Sequence, residues 1–141
     1  MIVKVYDKLT PDIKAIRLQV FVEEQSFVNE FDEIDDRAHH LVMYHDKVAI
    51  ATCRVYYDPS EKSWHVGRIA VIQPWRKNRI GTRILKCAIE YARGLGAARL
   101  YLSAQVRVQG FYEQLGFTIL GDSYLDEDVP HVLMVKELSD Q

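Results

Sequence analysis

The residues with the plainest chemical purpose stand at one turn. From Trp64 to Arg83 the chain reads Trp-His-Val-Gly-Arg-Ile-Ala-Val-Ile-Gln-Pro-Trp-Arg-Lys-Asn-Arg-Ile-Gly-Thr-Arg, and no acidic residue interrupts Arg76, Lys77, Arg79 and Arg83 anywhere between Gln73 and Ile89. Upstream, Val66, Ile69, Val71 and Ile72 make a nearly continuous β-branched run, the mark of a strand. The run breaks at Gln73-Pro74, because proline has no N–H for a ladder. Downstream, Ile80, Ile84, Ala88, Tyr91 and Ala92 recur at helical spacing, with Gly94 and Gly96 as the stop. A helix N-terminus presents unpaired backbone N–H groups and the positive end of the helix dipole. With cations beside it, it can hold an anion, and a phosphate-bearing ligand is the natural candidate. The plain alternative is a solvated basic helix start. Neither G-x-x-x-x-G-K-[ST] nor G-x-G-x-x-G occurs, so P-loop and dinucleotide-fold readings have no foothold.

The elements that must position this turn follow from periodicity. Ile2 to Tyr6 is a short strand. Thr10-Pro11-Asp12 opens a helix that carries Ile13, Ile16 and Val20 on one face to about Glu24. An acidic connection, Gln25 to Arg37, is long enough to be a functional loop. Leu41 to Tyr44, Val48 to Tyr57 and Trp64 to Ile72 read as a meander. Arg99 to Ser103 is a strand after the basic-turn helix, so it and the third meander strand form a βαβ unit and should be parallel. Arg107 to Leu115 is a short helix closed by Gly116, and Phe117 to Gly121 with Val132 to Lys136 supply two last strands. The expected fold class is therefore α+β, a mixed α/β sheet.

A chain of 141 residues, 48% hydrophobic and 27% charged, is one soluble domain's worth, taken as 1–141. No apolar run approaches the roughly 20 residues that cross a bilayer, and Met1-Ile2-Val3-Lys4 lacks signal-peptide character, so a cytoplasmic protein is expected. Cys53 and Cys87 read as small core residues, not as a disulfide or a nucleophile. The five histidines and two cysteines have no metal-ligand spacing, and no basic stripe with interleaved aromatics points to nucleic acid. The net charge of -2 hides a separation of sign: Glu23, Glu24, Glu30, Asp32, Glu33, Asp35 and Asp36 stand together without a Lys or Arg. Such a run is either solvated surface or a field that draws a cationic reactant. An exposed Trp75 or an edge strand is a candidate surface for a homodimer.

The spacing Arg76-x-x-Arg79-x-Gly81 resembles the Arg/Gln-x-x-Gly-x-Gly/Ala pyrophosphate-binding signature of GCN5-related N-acetyltransferases, with Arg79 at the family's first glycine. Ala104 to Phe117, with Gln105 seven residues before Tyr112 and Phe-Tyr-Glu-Gln-Leu-Gly-Phe at its end, resembles the family's second hallmark helix. By periodicity alone Tyr112 shares a core face with Val108, Phe111 and Leu115. Arg17-x-x-Val20-Phe21-Val22-x-Glu24-Gln25, Asp35-Asp36, His40-Leu41 and Tyr124 to His131 resemble the small bacterial ElaA-like branch.

This resemblance implies the acyl-CoA N-acyltransferase fold: a mostly antiparallel sheet whose one central parallel strand pair splays apart, with helices on both faces. It implies acetyl-CoA as donor substrate, a primary amine as acceptor, and direct transfer in a ternary complex. Ile69, Ala70 and Val71 would pair with the pantetheine arm, as would Gln105. Arg76, Lys77, Asn78, Arg79, Ile80, Gly81, Thr82 and Arg83 would hold the pyrophosphate. A backbone N–H near Ala70 or Val71 would face the oxyanion, and Tyr112 would protonate the leaving thiolate. Glu24, Gln25, His40, Arg54 and His131 would line the acceptor side, with His131 the first candidate for general base and Glu24 the second. A non-catalytic acyl-CoA sensor is the rival reading.

Overall fold

A computed structural model describes residues 1–28 and 30–138. Strands Ile2–Tyr6 (β1), His39–His45 (β2), Val48–Asp58 (β3), Ser63–Val71 (β4), Arg99–Gln105 (β5), Thr118–Asp126 (β6) and Val129–Glu137 (β7) form one sheet in the order β1-β2-β3-β4-β5-β7-β6. Neighbours are antiparallel except β4 and β5, the pair expected to be parallel. That pairing is brief, limited to Trp64 opposite Leu100 and His65 opposite Tyr101. The cause of the parting lies in β4. Thr52 faces Ala70 while Arg54 faces Gly67, so β4 carries one more residue than β3 across this step, and Arg68 takes a left-handed φ of 50°. A bulge of this kind bends and twists its strand, which turns the end of β4 away from β5.

The helix Pro11–Arg17 (α1) starts as its residues dictate: Thr10 Oγ1 accepts from the Ile13 N–H at 3.3 Å, Pro11 occupies the first turn and Asp12 sits on the positive dipole end. Sequence spacing led to one α-helix as far as Glu24, but Leu18–Glu24 is wound as a π-helix instead. The acidic connection holds a 3₁₀ turn at Glu33–Asp36, closed by reciprocal hydrogen bonds between Asp32 and Asp35. The long helix is Ile80–Gly94 (α2). The last helix is shorter than expected, a 3₁₀ turn at Val106–Val108 followed by Gln109–Glu113 (α3).

The two long faces of the sheet are covered differently. Ile84, Leu85 and Ala88 of α2 are fully buried in the main core with Cys53, Val55, Leu100 and Met134. Each such aliphatic side chain contributes about 1.5–3 kcal/mol of burial, so Leu85→Ala should remove about 2–5 kcal/mol. On the other face, Ile16 and Val20 pack against Ala70. Cys53 is buried and Cys87 half-buried, both as free thiols. Trp75, expected to be exposed, is half-buried with its ring 4.6 Å from that of His45. The last two strands run further than their apolar cores indicated, so Tyr124 lies within β6 and His131 within β7, joined by a turn at Glu127 and Asp128. No helix among the described residues is long and apolar enough to cross a membrane.

Candidate active site

The strand-turn-helix places Arg79 at the N-cap of α2 with φ 60° and ψ 24°, a left-handed conformation that glycine adopts freely and arginine does not. No side chain caps the helix there, so the N–H groups of Ile80, Gly81 and Thr82 have no partner within the helix. Arg76, Lys77 and Arg79 line a groove of about 580 Å³ together with Ile69, Ala70 and Val71. Those three strand residues lie beyond the last β4–β5 pair, on the stretch of β4 that has turned away from its neighbour. Gly81 sits over Phe111, where an added Cβ would be 3.5 Å from the ring. The Asn78 side-chain amide donates to the carbonyls of Trp75 and Arg76 at 3.3 and 3.1 Å and so braces the turn from outside the groove. Arg83 also lies outside its lining, with Nη1 3.6 Å from Met1 Sδ. These N–H groups, with Lys77 and Arg79, which have no ion-pair partner among the described residues, fit a diphosphate.

A larger cavity of about 780 Å³ opens beside this groove, and Gln25, Ile69, Arg107, Val108 and Phe111 line both. Tyr112 lies in it, its ring set edge-on to Phe111 at 5.1 Å and to Phe117 at 6.2 Å. Desolvation pushes the Tyr112 phenol up to about 12, so it stays protonated near neutrality. His131, 7% exposed, also lines the cavity, and its Nδ1 lies 2.8 Å from the Val129 carbonyl. A carbonyl only accepts, so Nδ1 carries a proton, and in the neutral imidazole Nε2 is the nitrogen that can accept one. Gln105 Nε2 donates to Gln25 Oε1 at 2.8 Å, and Gln105 Oε1 accepts from Arg107 Nε at 2.9 Å, which ties β5 to the end of the π-helix.

Two expected residues lie elsewhere. Glu24 is ion-paired with Arg76 and lines neither space. His40 is fully buried with Nε2–H donating to the Asp35 carbonyl at 3.0 Å, and it lines neither space. Burial holds its imidazole below the ordinary range, so it is neutral.

The acidic connection divides in two: Glu23, Glu33 and Asp36 are exposed surface, while Glu30, Asp32 and Asp35 are held by arginines. Arg17, 1% exposed, bonds Glu30 through Nε at 2.6 Å and Asp35 through Nη1 at 2.7 Å. Arg54 bonds Asp32 and Asp35 at 2.7 and 2.9 Å, and Arg68 pairs with Glu30 at 3.2 Å. Three arginines thus answer the three carboxylates of Glu30, Asp32 and Asp35. Burial raises Glu30 above its usual value despite Arg17 and Arg68. Burial would also raise Asp35, but hydrogen bonds from Arg17 and the Asp32 amide, with the charges of Arg17 and Arg54, bring it down to about 2. Arg54 therefore reaches the cavity wall as part of a matched ion cluster.

Sequence spacing missed Tyr56 and His65, which line the cavity as cross-strand partners. Their common face shows only once the β3–β4 register is known.

The model of the acetyltransferase (GNAT) family matches residues 3–117. The Bacillus subtilis protein YyaT is 33% identical over 129 residues, covering 88% of this chain and 86% of that protein. The crystal structure of an acyl-CoA N-acyltransferase from Pseudomonas aeruginosa is similar with a TM-score of 0.84 at 28% identity, covering 96% of this chain and 98% of that one. Escherichia coli ElaA shares the fold with a TM-score of 0.85 at 22% identity, covering 97% and 100%.

Proposed function

The chain belongs to the acetyltransferase (GNAT) family, with Escherichia coli ElaA among its relatives, and on that premise we propose that it moves an acetyl group from acetyl-CoA directly to a primary amine. The observation that carries this reading is that the cationic groove and the larger cavity share Gln25, Ile69, Arg107, Val108 and Phe111, so a donor in one meets an acceptor in the other at the parting of β4 and β5.

The diphosphate of the donor rests on the Ile80, Gly81 and Thr82 amides with Lys77 and Arg79 beside it, and the pantetheine arm follows the open edge of β4 along Ile69 to Val71. His131 Nε2 takes a proton from the acceptor ammonium. The freed amine nitrogen bonds to the acetyl carbonyl carbon, the C–S bond breaks, the Tyr112 hydroxyl gives its proton to the departing sulfur, and the second proton that the nitrogen sheds on becoming an amide returns to the Tyr112 oxygen. A backbone N–H at Ala70 or Val71 faces the carbonyl oxygen as it gains charge, a contact worth about 3 kcal/mol in acyl transfer. Holding both reactants in one complex lowers the entropic barrier, and each proton transfer adds about 10²–10⁴-fold. Burial pushes the Cys53 thiol well up and keeps it protonated, which disfavours a covalent acyl-cysteine route.

Initial velocities with acetyl-CoA and amine varied together test this. Intersecting lines in a double-reciprocal plot are expected; parallel lines would mean a covalent acyl-enzyme. Acetyl-CoA binding without turnover of any amine would leave a donor sensor instead.

A further inference from the structure

The floor of the larger cavity is aromatic on both sides of β5. Tyr56 and His65 are cross-strand partners with ring centroids 5.2 Å apart and planes 11° from parallel. His65 continues to Tyr101 of β5 at 5.5 Å. Beyond β5, Tyr124 and His131 are also cross-strand partners, 6.1 Å apart and 25° from parallel. The Tyr124 hydroxyl is hydrogen-bonded to Ser103 Oγ, so this ring reaches from β6 across β7 to β5. The registers Gln105 to His131 and Ser103 to Leu133 put all of these side chains on one face of the sheet. Burial lowers His65 below its ordinary range, so it presents a neutral flat ring.

The charges in the same wall are matched. Glu30 is held by Arg17 and Arg68, and Arg54 by Asp32 and Asp35. The remaining carboxylates of the lining, Asp126 and Glu127, stand at the β6–β7 turn, while Arg107 stands where the cavity meets the cationic groove. A polycation would need a row of open carboxylates in the lining, and of the acidic segment only Glu30 reaches it, where Arg17 and Arg68 hold it. A flat ring needs stacking faces, and the cavity has a pair on each side of β5.

We propose that the acceptor is a small primary amine attached to an aromatic body, an arylalkylamine, and not a polyamine or a protein lysine. The turnover part of this inference rests on the acetyl-transfer reading; the binding part does not. The test is calorimetric titration of phenethylamine, spermidine and a lysine-containing peptide into the protein with CoA present, with thiol release from acetyl-CoA followed in parallel. Phenethylamine should bind about tenfold more tightly than either rival. Tyr56→Leu and Tyr124→Leu should each weaken it about two- to tenfold, the scale of one lost aromatic contact, while acetyl-CoA affinity, which reports the fold, stays put. Tighter binding of spermidine or the peptide overturns the proposal, as does unchanged phenethylamine affinity in both variants. Selective phenethylamine binding without thiol release supports it and overturns the enzyme reading.

Discussion

Arg76 is ion-paired to Glu24, Nη2 to Oε1 at 2.5 Å, while its Nε donates to the Val71 carbonyl at 2.9 Å. The pair joins the end of β4 to the end of the π-helix beside the donor groove, and it makes Glu24 a competitor of any phosphate for that guanidinium. Glu24→Gln should therefore tighten CoA binding about two- to fivefold and leave stability nearly unchanged, as expected of a partly exposed pair. Arg76→Ala should weaken CoA binding about tenfold, the scale of one lost charge-assisted hydrogen bond. Titration calorimetry reads both. A large fall in turnover with unchanged CoA affinity in Glu24→Gln would instead make Glu24 the general base.

Arg79 holds a left-handed backbone that disfavours any side chain by about 1–2 kcal/mol. Arg79→Gly should remove that strain and gain about 0.5–1 kcal/mol in urea unfolding, after the entropy glycine loses on folding. The same change removes a cation from the groove, so CoA should bind several-fold more weakly. Lower stability would show that the Arg79 side chain makes contacts that outweigh its strain.

Asp35 anchors Arg17 and Arg54 together. Its carboxyl lies at about 2 in the fold against an ordinary 3.8, so its contribution is fully present above about 4 and is lost as the pH falls toward 2. Glu30, displaced upward by burial, works in the opposite sense and offsets part of this. Acid unfolding should steepen below about pH 4. Asp35→Asn should remove much of that dependence and cost about 3–5 kcal/mol at neutral pH, because two buried guanidinium groups lose their shared partner. Unfolding curves collected across pH check both statements.

Tyr112→Phe should lower kcat about 10²-fold with acetyl-CoA affinity within about twofold of wild type. Because the Tyr112 phenol lies at about 12, the activity of the intact protein should show no loss from this group near neutrality. His131→Gln should depress turnover about 10²-fold with acetyl-CoA affinity little changed, and unaltered turnover would move the base to another group or to water.

The strand-turn-helix from Ser63 to Gly94 is legible in the residues because the apolar period changes from strand to helix across Gln73-Pro74, and the parallel strand pair follows from that unit. What periodicity does not carry is register. The bulge at Arg68 depends on how β3 and β4 align, and so does the pairing of Tyr56 with His65. The Arg17, Asp35 and Arg54 cluster joins a helix, a loop and a strand, so a one-dimensional charge count does not show which carboxylates of the acidic run the fold pairs with arginines. Arg79 takes a left-handed backbone, which no pattern of residues displays.

The most direct test of the central claim is to incubate the protein with acetyl-CoA and a primary amine, measuring free thiol and identifying the amine product by mass. Thiol released in proportion to enzyme, together with an equal amount of N-acetylated amine, is the predicted result. Tight acetyl-CoA binding with no amine-dependent thiol release would contradict it.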